Sequence, residues 1–249
     1  MRGDVFMVTV YNTWEELAQS DARIAIIPIG AIEQHGRHLP LGTDWLIADK
    51  WAKCLGEQLN AFVLPALPYG NSQEHMGFIG TITLRPQTLA MIIEDIVLSL
   101  RHHGFKRVVI VSAHGGNWII KPTIRDLNFR YPDMTIIWAD GALPGERERI
   151  PEDIHSGRSE TSTMLVYHPE LVKLDRAEDF TPDVGQEYND YIGFDYTTTC
   201  GVWGKPTEAS KQMGEKRLQS VIEHQVRYIR ATFERLEQLK EGKRTAKCM

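Results

Sequence analysis

Cysteine is scarce in this chain, and long hydrophobic runs are absent. The 249 residues include 3 cysteines, which stand far apart and form no C-x-x-C pair. The sequence therefore predicts neither a disulfide framework nor a thiolate metal site. No apolar run approaches the roughly 20 residues that a membrane helix needs, and residues 1–11 lack the basic start and apolar core of a signal peptide. We expect a protein of the reducing cytoplasm that does not contact membranes.

An excess of positive charge is lacking as well. The chain carries 28 lysine and arginine residues against 33 aspartate and glutamate residues, for a net charge of −5, so we expect no nucleic-acid partner. Hydrophobic residues make up 42% of the chain and charged residues 24%, which is typical of a globular protein with a substantial core. Composition does not change along the chain, so we expect a single domain over residues 1–240 and a frayed tail over 241–249.

Potential metal ligands are concentrated directly after an apolar stretch. Residues 24–29 (IAIIPI) are predicted to form a buried strand that ends at Gly30. The potential ligands that follow it are Glu33, His35, His38 and Asp44. Carboxylate and imidazole groups together suit zinc, manganese or iron(II), whereas calcium prefers oxygen ligands alone. Asp44 stands at the start of an amphipathic helix predicted over residues 44–59, where its carboxylate can either cap the helix or bridge two ions.

Later loops carry further polar residues. His75 lies in a long loop after a strand-like stretch at residues 62–67. The loop after a strand predicted over residues 107–112 contains His114, Gly115, Gly116 and Asn117. Its glycines allow close approach of the backbone, and the helix predicted over residues 118–130 directs free N–H groups towards the loop. His155 and Glu160 precede a helix predicted around residues 161–167.

Strands and helices alternate along the chain, which predicts the fold class. A further strand is predicted at residues 134–139, a short edge strand at 81–84, and a long C-terminal helix from Glu208. This order is typical of an α/β protein with a mostly parallel central sheet covered by helices on both faces, a three-layer α/β/α architecture. Residues 170–206 show little periodicity and are interpreted as a surface loop that forms a lid or a subunit contact.

With these motifs in order, the chain resembles the creatininase (creatinine amidohydrolase) family of metal-dependent amide hydrolases. The resemblance extends from about Ile24 to Ile229 and rests on four segments in the family's order. These segments read PIGAIEQHGRHLPLGTD, YGNSQEHMGFIGTITL, VVIVSAHGGN and HSGRSETS. The resemblance implies a creatininase-like fold, two divalent ions (zinc, manganese or iron), a small-molecule amide substrate and a homohexamer.

Roles for individual residues also follow from the resemblance. It implies that Glu33 and His114 hold one ion, that His35 holds the second, and that Asp44 bridges the two. His155 matches the family's catalytic histidine. Glu160 stands where a carboxylate can orient that ring or approach the second ion.

The expected mechanism places further residues near the substrate. Two adjacent ions lower the pKa of a shared water and make hydroxide available for attack on an amide carbonyl. We expect the backbone N–H groups of Gly115, Gly116 and Asn117 to stabilise the oxyanion and His155 to protonate the leaving nitrogen. His75, in the long loop, is predicted to contact the substrate.

Two departures from the family pattern leave the substrate open. Creatininases proper carry a glutamate two residues after the third-motif histidine as a ligand of the second ion, and this chain has Gly116 there. They also carry a tryptophan near the catalytic histidine, where residues 150–154 read IPEDI here. Creatinine hydrolysis to creatine is the expected activity. The alternatives are hydrolysis of a formamide in a pyrimidine nucleotide intermediate, cleavage of a peptide bond, and metal binding without catalysis.

Overall fold

A parallel sheet lies at the centre of the molecule. The computed structural model describes residues 7–141, 143–144 and 152–246. The strands within these residues are β1 (Val8–Thr9), β2 (Ile24–Ile29), β3 (Phe62–Val63), β4 (Arg107–Ser112) and β5 (Thr135–Asp140). They are all parallel and lie in the order β1-β3-β2-β4-β5.

Strand register brings three loops to one edge of the sheet. Ile29 pairs with Ser112, and Ser112 pairs with Asp140, so β2, β4 and β5 end side by side. The side chains of β2 and β4 are apolar on both faces and almost wholly buried, as expected for strands covered on both sides. The loops that leave these strands must therefore meet at the carboxyl-terminal edge, where α/β proteins bind their ligands.

Helices cover both faces of the sheet. The helices in the described residues are α1 (Trp14–Gln19), α2 (Thr43–Leu59), α3 (Pro86–His102), α4 (Ile120–Arg130), α5 (Arg158–Tyr167) and α6 (Lys211–Ala246). One hydrophobic core joins Val109 and Val111 of β4 to side chains of α2 and α6. The other core joins Val108 and Ile110 of the same strand to side chains of α3 and α4. This alternation confirms the three-layer α/β/α prediction.

Helix α1 begins with a capping box formed by Thr13 and Glu16. Two predicted strands, in contrast, have different bounds in the structure. Only the first two residues of the predicted strand 62–67 form a strand, because Pro65 has no N–H to donate to a ladder. The predicted edge strand at 81–84 is a single antiparallel bridge between Ile82 and Ile32.

The C-terminal part of the chain also differs from expectation. Helix α6 begins at Lys211 rather than Glu208 and continues to Ala246, six residues beyond the predicted boundary at 240. Residues 247–249 lie outside the described part of the chain, and the expected single domain with a frayed tail stays a prediction. Residues 170–206 are not wholly a surface loop, because Phe194 and Trp203 are buried. In the described ranges, no helix is long and apolar enough to span a bilayer.

Candidate metal centre

Buried carboxylates and imidazoles collect at the carboxyl-terminal edge of the sheet. Glu33 and His35 follow β2, Asp44 lies in the first turn of α2, and His114 follows β4. Glu160 lies in the first turn of α5. All of these side chains except that of Glu160 are nearly inaccessible to solvent, and Glu160 is partly exposed. Glu33, His35 and His114 meet here because they follow strands that end at this edge, whereas Asp44 and Glu160 lie at the starts of helices.

Two groups of potential metal ligands share Asp44. In the first group, Glu33, Asp44 and His114 place one ligand atom each within 4.8 Å of one another. In the second group, the same holds for His35, Asp44 and Glu160. Each group therefore brings nitrogen and oxygen donors to a space of the size of one coordination sphere.

The two oxygens of Asp44 point to different groups. Oδ1 lies 3.3 Å from Nε2 of His35, and Oδ2 lies 3.4 Å from Nδ1 of His114. Asp44 does not cap its helix, because the N-cap residue of α2 is Gly42 and no side chain makes a capping hydrogen bond. Of the two roles left open by the sequence, this geometry is that of a bridging carboxylate.

Several of these buried atoms lack the partners that buried polar atoms require. Both carboxylate oxygens of Glu33, Nε2 of His35 and Oδ2 of Asp44 have no hydrogen-bond partner among the described residues. Leaving such groups unpaired inside a protein is unfavourable by about 1–3 kcal/mol each, and buried charges normally pair or bind metals. Divalent cations would satisfy all of them, so the donor set fits the expected metal centre.

The donors perturb each other's pKa values strongly. Burial raises the pKa of Glu33 to about 8, an effect that His114 opposes and the charge of Asp44 reinforces. Burial also raises the pKa of Glu160 to about 7, an effect that His35 opposes and the charge of Asp44 reinforces. Burial disfavours a charge on His35, but the neighbouring carboxylate of Asp44 outweighs it and raises the pKa to about 10. The pKa of His114 rises to about 9 because Glu33 and Asp44 outweigh its burial.

Gln34 connects two further histidines to this centre. Its side-chain Nε2 lies 3.0 Å from Nδ1 of His75 and 3.1 Å from Nε2 of His155. His75 Nε2 is 3.3 Å from Oε1 of Glu33, and His155 Nδ1 is 3.7 Å from the same oxygen. Burial holds the pKa values of both histidines well below the usual range. Both rings therefore lie at the metal centre in their neutral forms.

The other predicted site residues are Gly115, Gly116 and Asn117, in the loop after β4. Gly115 and Gly116 line a cleft beside His114. The side chain of Asn117 ties loops together instead, since it receives a hydrogen bond from Asn71 N and donates to Gly30 O and to Ser112 Oγ. Helix α4 begins only at Ile120, three residues after this loop. Contacts of these residues with substrate stay predictions.

His38 lies outside both ligand groups. Its Nε2 is 2.9 Å from the hydroxyl of Thr161, and it is buried together with that residue. Burial, together with the charge of His35, lowers the pKa of His38 to about 4. His38, which the sequence offered as a potential ligand, is therefore a residue of the loop and belongs to neither group.

Sequence reasoning missed three residues that contact the centre. They are Gln34, Glu74 and Phe194. Gln34 stands between two predicted ligands, so its position in the chain was a usable signal. Phe194 packs on His75 and His155 with ring centroids 4.8 and 5.1 Å apart, and nothing in its aperiodic segment indicated that contact.

Two spaces border the centre. A cavity of about 250 Å³ is lined by His155, Glu160, Gly115 and the aromatic residues Trp51 and Trp138. A more open cleft of about 850 Å³ lies on the other side of His114, next to Glu74 and Trp118. A substrate in either space would lie against His114, His155 and Glu160, which line both.

The fold and the buried donor set define an α/β protein with a candidate dinuclear centre, and comparisons with known proteins identify the family. A family model described as "Creatininase: Creatinine amidohydrolase" matches residues 11–229. The chain belongs to the creatininase family, whose members are hydrolases acting on C–N amide bonds.

Curated relatives differ in their substrates. The chain is 31% identical over 250 residues to the creatinine amidohydrolase of Pseudomonas putida, covering 89% of this chain and 95% of the relative. It is also 31% identical over 218 residues to the mycofactocin precursor peptide peptidase of Mycobacterium tuberculosis, covering 82% of this chain and 83% of the relative. A shared family therefore does not determine the substrate.

Solved structures show the same fold. A crystal structure of creatinine amidohydrolase matches with a TM-score of 0.80 at 29% identity, covering 91% of this chain and 98% of the other. Creatininase structures described as a zinc–zinc form and a manganese form match with TM-scores of 0.77 and 0.78, each at 28% identity and covering 92% of this chain and 99% of the other.

Proposed function

We propose that this protein is an amidohydrolase that uses two divalent ions to cleave a C–N bond in a compact cyclic amide of the creatinine type. The observation that carries the proposal is the division of the Asp44 carboxylate between His35 and His114. This arrangement joins two ligand groups into one centre. Glu33 and His114 would hold one ion, His35 and Glu160 the other, and Asp44 would bridge them.

Zinc and manganese are the proposed ions. Imidazole and carboxylate donors bind both well, and creatininases have been solved with each; iron(II) fits the same donors. Such ions supply a polarised carbonyl and a water of lowered pKa. The side chains and backbone groups around the centre are proposed to carry out the remaining steps.

We assign proton transfer to His155. Its ring is buried beside Glu33 and neutral, so it can accept a proton from the attacking water and deliver it to the leaving nitrogen. The N–H groups of Gly115 and Gly116, which line the adjoining cleft, are proposed to stabilise the developing oxyanion. His75, whose ring centroid lies 4.4 Å from that of His155, is proposed to contact the substrate as well.

The smaller of the two cavities favours a small substrate. Its volume of about 250 Å³ is below the range of about 300–1,000 Å³ usual for drug-sized ligands. The similarity to the creatinine amidohydrolase of Pseudomonas putida, which spans 89% of this chain, supports the same substrate class. A creatinine-sized ring placed there would lie between the aromatic side chains and His155.

A peptide bond is the second candidate. The larger cleft of about 850 Å³ also borders His114 and Glu160, and it has more room for a peptide chain than the cavity of about 250 Å³. The relative that cleaves the mycofactocin precursor peptide is as similar in identity as the creatinine enzyme. In that case, we expect the peptide to bind along the side of the centre that carries Glu74.

The deciding experiment measures creatine release from creatinine by protein reconstituted with zinc and manganese. Glu33→Gln is the blank, because it removes a buried carboxylate oxygen from the first group while keeping the side-chain volume. Asp49→Asn, which alters a carboxylate of α2 that pairs with Lys53 instead, is the matched control. Turnover above the blank in wild type and control supports the creatinine proposal.

Absence of turnover would have distinct consequences. Metal-loaded protein without creatine release would exclude creatinine, and peptides would be tested next by mass spectrometry of the cleavage products. Metal-loaded protein inactive on every amide would favour a binding protein without catalysis. We further propose a homohexamer, on the resemblance, and a cytoplasmic location, on the cysteine content; light scattering tests the former.

A further inference from the structure

Glu74 contacts the metal centre but belongs to neither ligand group. It lies in a short 3-10 helix, Gln73–His75, that follows β3. Its carboxylate oxygen Oε1 is 3.5 Å from Nε2 of His114, and its side chain is only 21% exposed. The same nitrogen lies 3.2 Å from Oε2 of Glu33. The imidazole of His114 is therefore flanked by two carboxylates, one from each of two loops.

Gly116 provides the space that Glu74 fills. A Cβ atom at position 116 would lie 2.0 Å from Oε1 of Glu74 and 2.4 Å from Nε2 of His114. Both distances are far below a van der Waals contact, so a side chain at position 116 and the present position of the Glu74 carboxylate exclude each other.

Backbone conformation does not explain this glycine. Gly116 is absent from the set of described residues with positive φ, so an alanine could adopt its conformation. At its neighbour Gly115, a Cβ atom would meet no other atom within 4 Å, so a side chain would fit there without conflict. A side chain at position 116 would meet the carboxylate of Glu74, the ring of His114 and, at 2.7 Å, the carbonyl oxygen of Asn71, whereas one at position 115 would meet none of them.

We propose that Glu74 is a further carboxylate ligand of the metal centre, at the ion held by Glu33, Asp44 and His114, and that Gly116 is the residue that admits it. This inference rests on the proposed dinuclear function. In this chain, the loop after β3 would thus add a carboxylate at the first ion. In creatininases proper, the position two residues after the corresponding histidine supplies a carboxylate to the second ion, where Glu160 is proposed to stand here.

The test measures binding of Mn²⁺ to metal-free protein by titration calorimetry, with the metal content after dialysis as a second readout. We expect Glu74→Gln, which keeps the size of the side chain, to weaken binding by roughly 10- to 100-fold at one site. Gly116→Ala should also weaken binding, because its methyl group meets both the carboxylate of Glu74 and the ring of His114. Asp49→Asn, which alters a carboxylate of α2 that pairs with Lys53, is the matched control and should bind Mn²⁺ as the wild type does.

Two outcomes would overturn the assignment. Wild-type affinity in Glu74→Gln would overturn the ligand role, and wild-type affinity in Gly116→Ala would overturn the role of Gly116 in admitting the carboxylate. Wild-type protein that binds no Mn²⁺ or Zn²⁺ would instead contradict the proposed function, so the two failures are distinguishable.

Discussion

The Nε2 atom of His155 lies 2.8 Å from the backbone carbonyl oxygen of Gln34. A carbonyl oxygen only accepts hydrogen bonds, so this contact, the shorter of the two that Nε2 makes with Gln34, favours a proton on Nε2. The side-chain amide nitrogen of Gln34, 3.1 Å away, then makes no hydrogen bond with it. In the neutral ring, Nδ1 is then the unprotonated nitrogen, and it is the one that faces Glu33 at 3.7 Å. The backbone of the first ligand segment thereby fixes the tautomer of the proposed proton-transfer residue.

This tautomer determines what replacement of His155 should do. We expect His155→Asn to reduce kcat by roughly 10²- to 10⁴-fold, the usual contribution of a positioned acid or base, while the bound metal content stays unchanged. Steady-state kinetics and metal analysis of the same preparation check both parts. His168→Asn, which removes a histidine paired with Glu170 near the surface, should behave as wild type. Loss of metal in His155→Asn would assign Nδ1 to the ligand set instead.

The bridging position of Asp44 predicts a coupled loss of both ions. In Asp44→Asn, an amide nitrogen replaces one carboxylate oxygen, so only one of the two oxygens that this residue shares between the groups remains. We expect both ions to be lost on dialysis and turnover to be abolished. The fold should persist, because Asp44 makes no capping hydrogen bond and its charge repels that of Glu33, whose pKa it raises. Metal analysis and circular dichroism measure these outcomes, and Asp49→Asn is the control.

Retention of one ion with full occupancy in Asp44→Asn would contradict the bridging role. It would mean that one group binds its ion without the shared carboxylate. The ion that remained could then be assigned by adding a second substitution. Glu33→Gln would remove an ion held by the first group, and Glu160→Gln would remove one held by the second.

The sequence predicted those residues of the candidate centre that directly follow strands. Glu33, His35 and His114 come just after buried apolar runs, and parallel strands end at one edge of a sheet. The positions of these three residues in the sequence were therefore enough to predict that they lie close together. The bridging role of Asp44 was only one of two interpretations, because a carboxylate in the first turn of a helix is equally typical of a cap.

Residues brought in by tertiary packing could not be predicted in this way. Glu74 lies in a polar loop with no periodic pattern, and its role emerges only when Gly116 is placed beside it. Phe194 belongs to a segment without regular strands or helices longer than a few residues, yet it packs on two histidines of the centre. Such contacts join loops that are distant in the chain, and local secondary-structure propensity does not predict them.

Metal affinity should rise with pH. In the metal-free protein, Glu160 and Glu33 have pKa values of about 7 and 8, and His114 has a pKa of about 9. At neutral pH, these groups hold protons that a metal ion must displace, so binding releases protons. Each proton released makes affinity increase up to about tenfold per pH unit. Calorimetry with Mn²⁺ between about pH 6 and pH 8, in buffers of different ionisation enthalpy, measures affinity and proton release together.

The control for this pH dependence is Glu33→Gln, which cannot take up a proton at that position. If the remaining ligands still bind Mn²⁺ in this variant, the pH slope should be shallower than in wild type. Affinity in the wild type that does not change between pH 6 and pH 8 would contradict the displacement of protons.

His38 should make the metal-free protein less stable in acid. Its pKa is about 4 in the folded protein because of burial, against an ordinary value near 6.5 in the unfolded chain. Between these values the unfolded chain binds a proton that the folded protein does not, so the free energy of unfolding decreases as pH falls through this window. The full effect is about 3 kcal/mol.

Urea unfolding of His38→Gln should therefore show a smaller loss of stability between pH 6.5 and pH 4 than wild type. His103→Gln, which alters an exposed histidine at the end of α3, should lose as much as wild type, and an equal loss in His38→Gln would exclude His38 as the source.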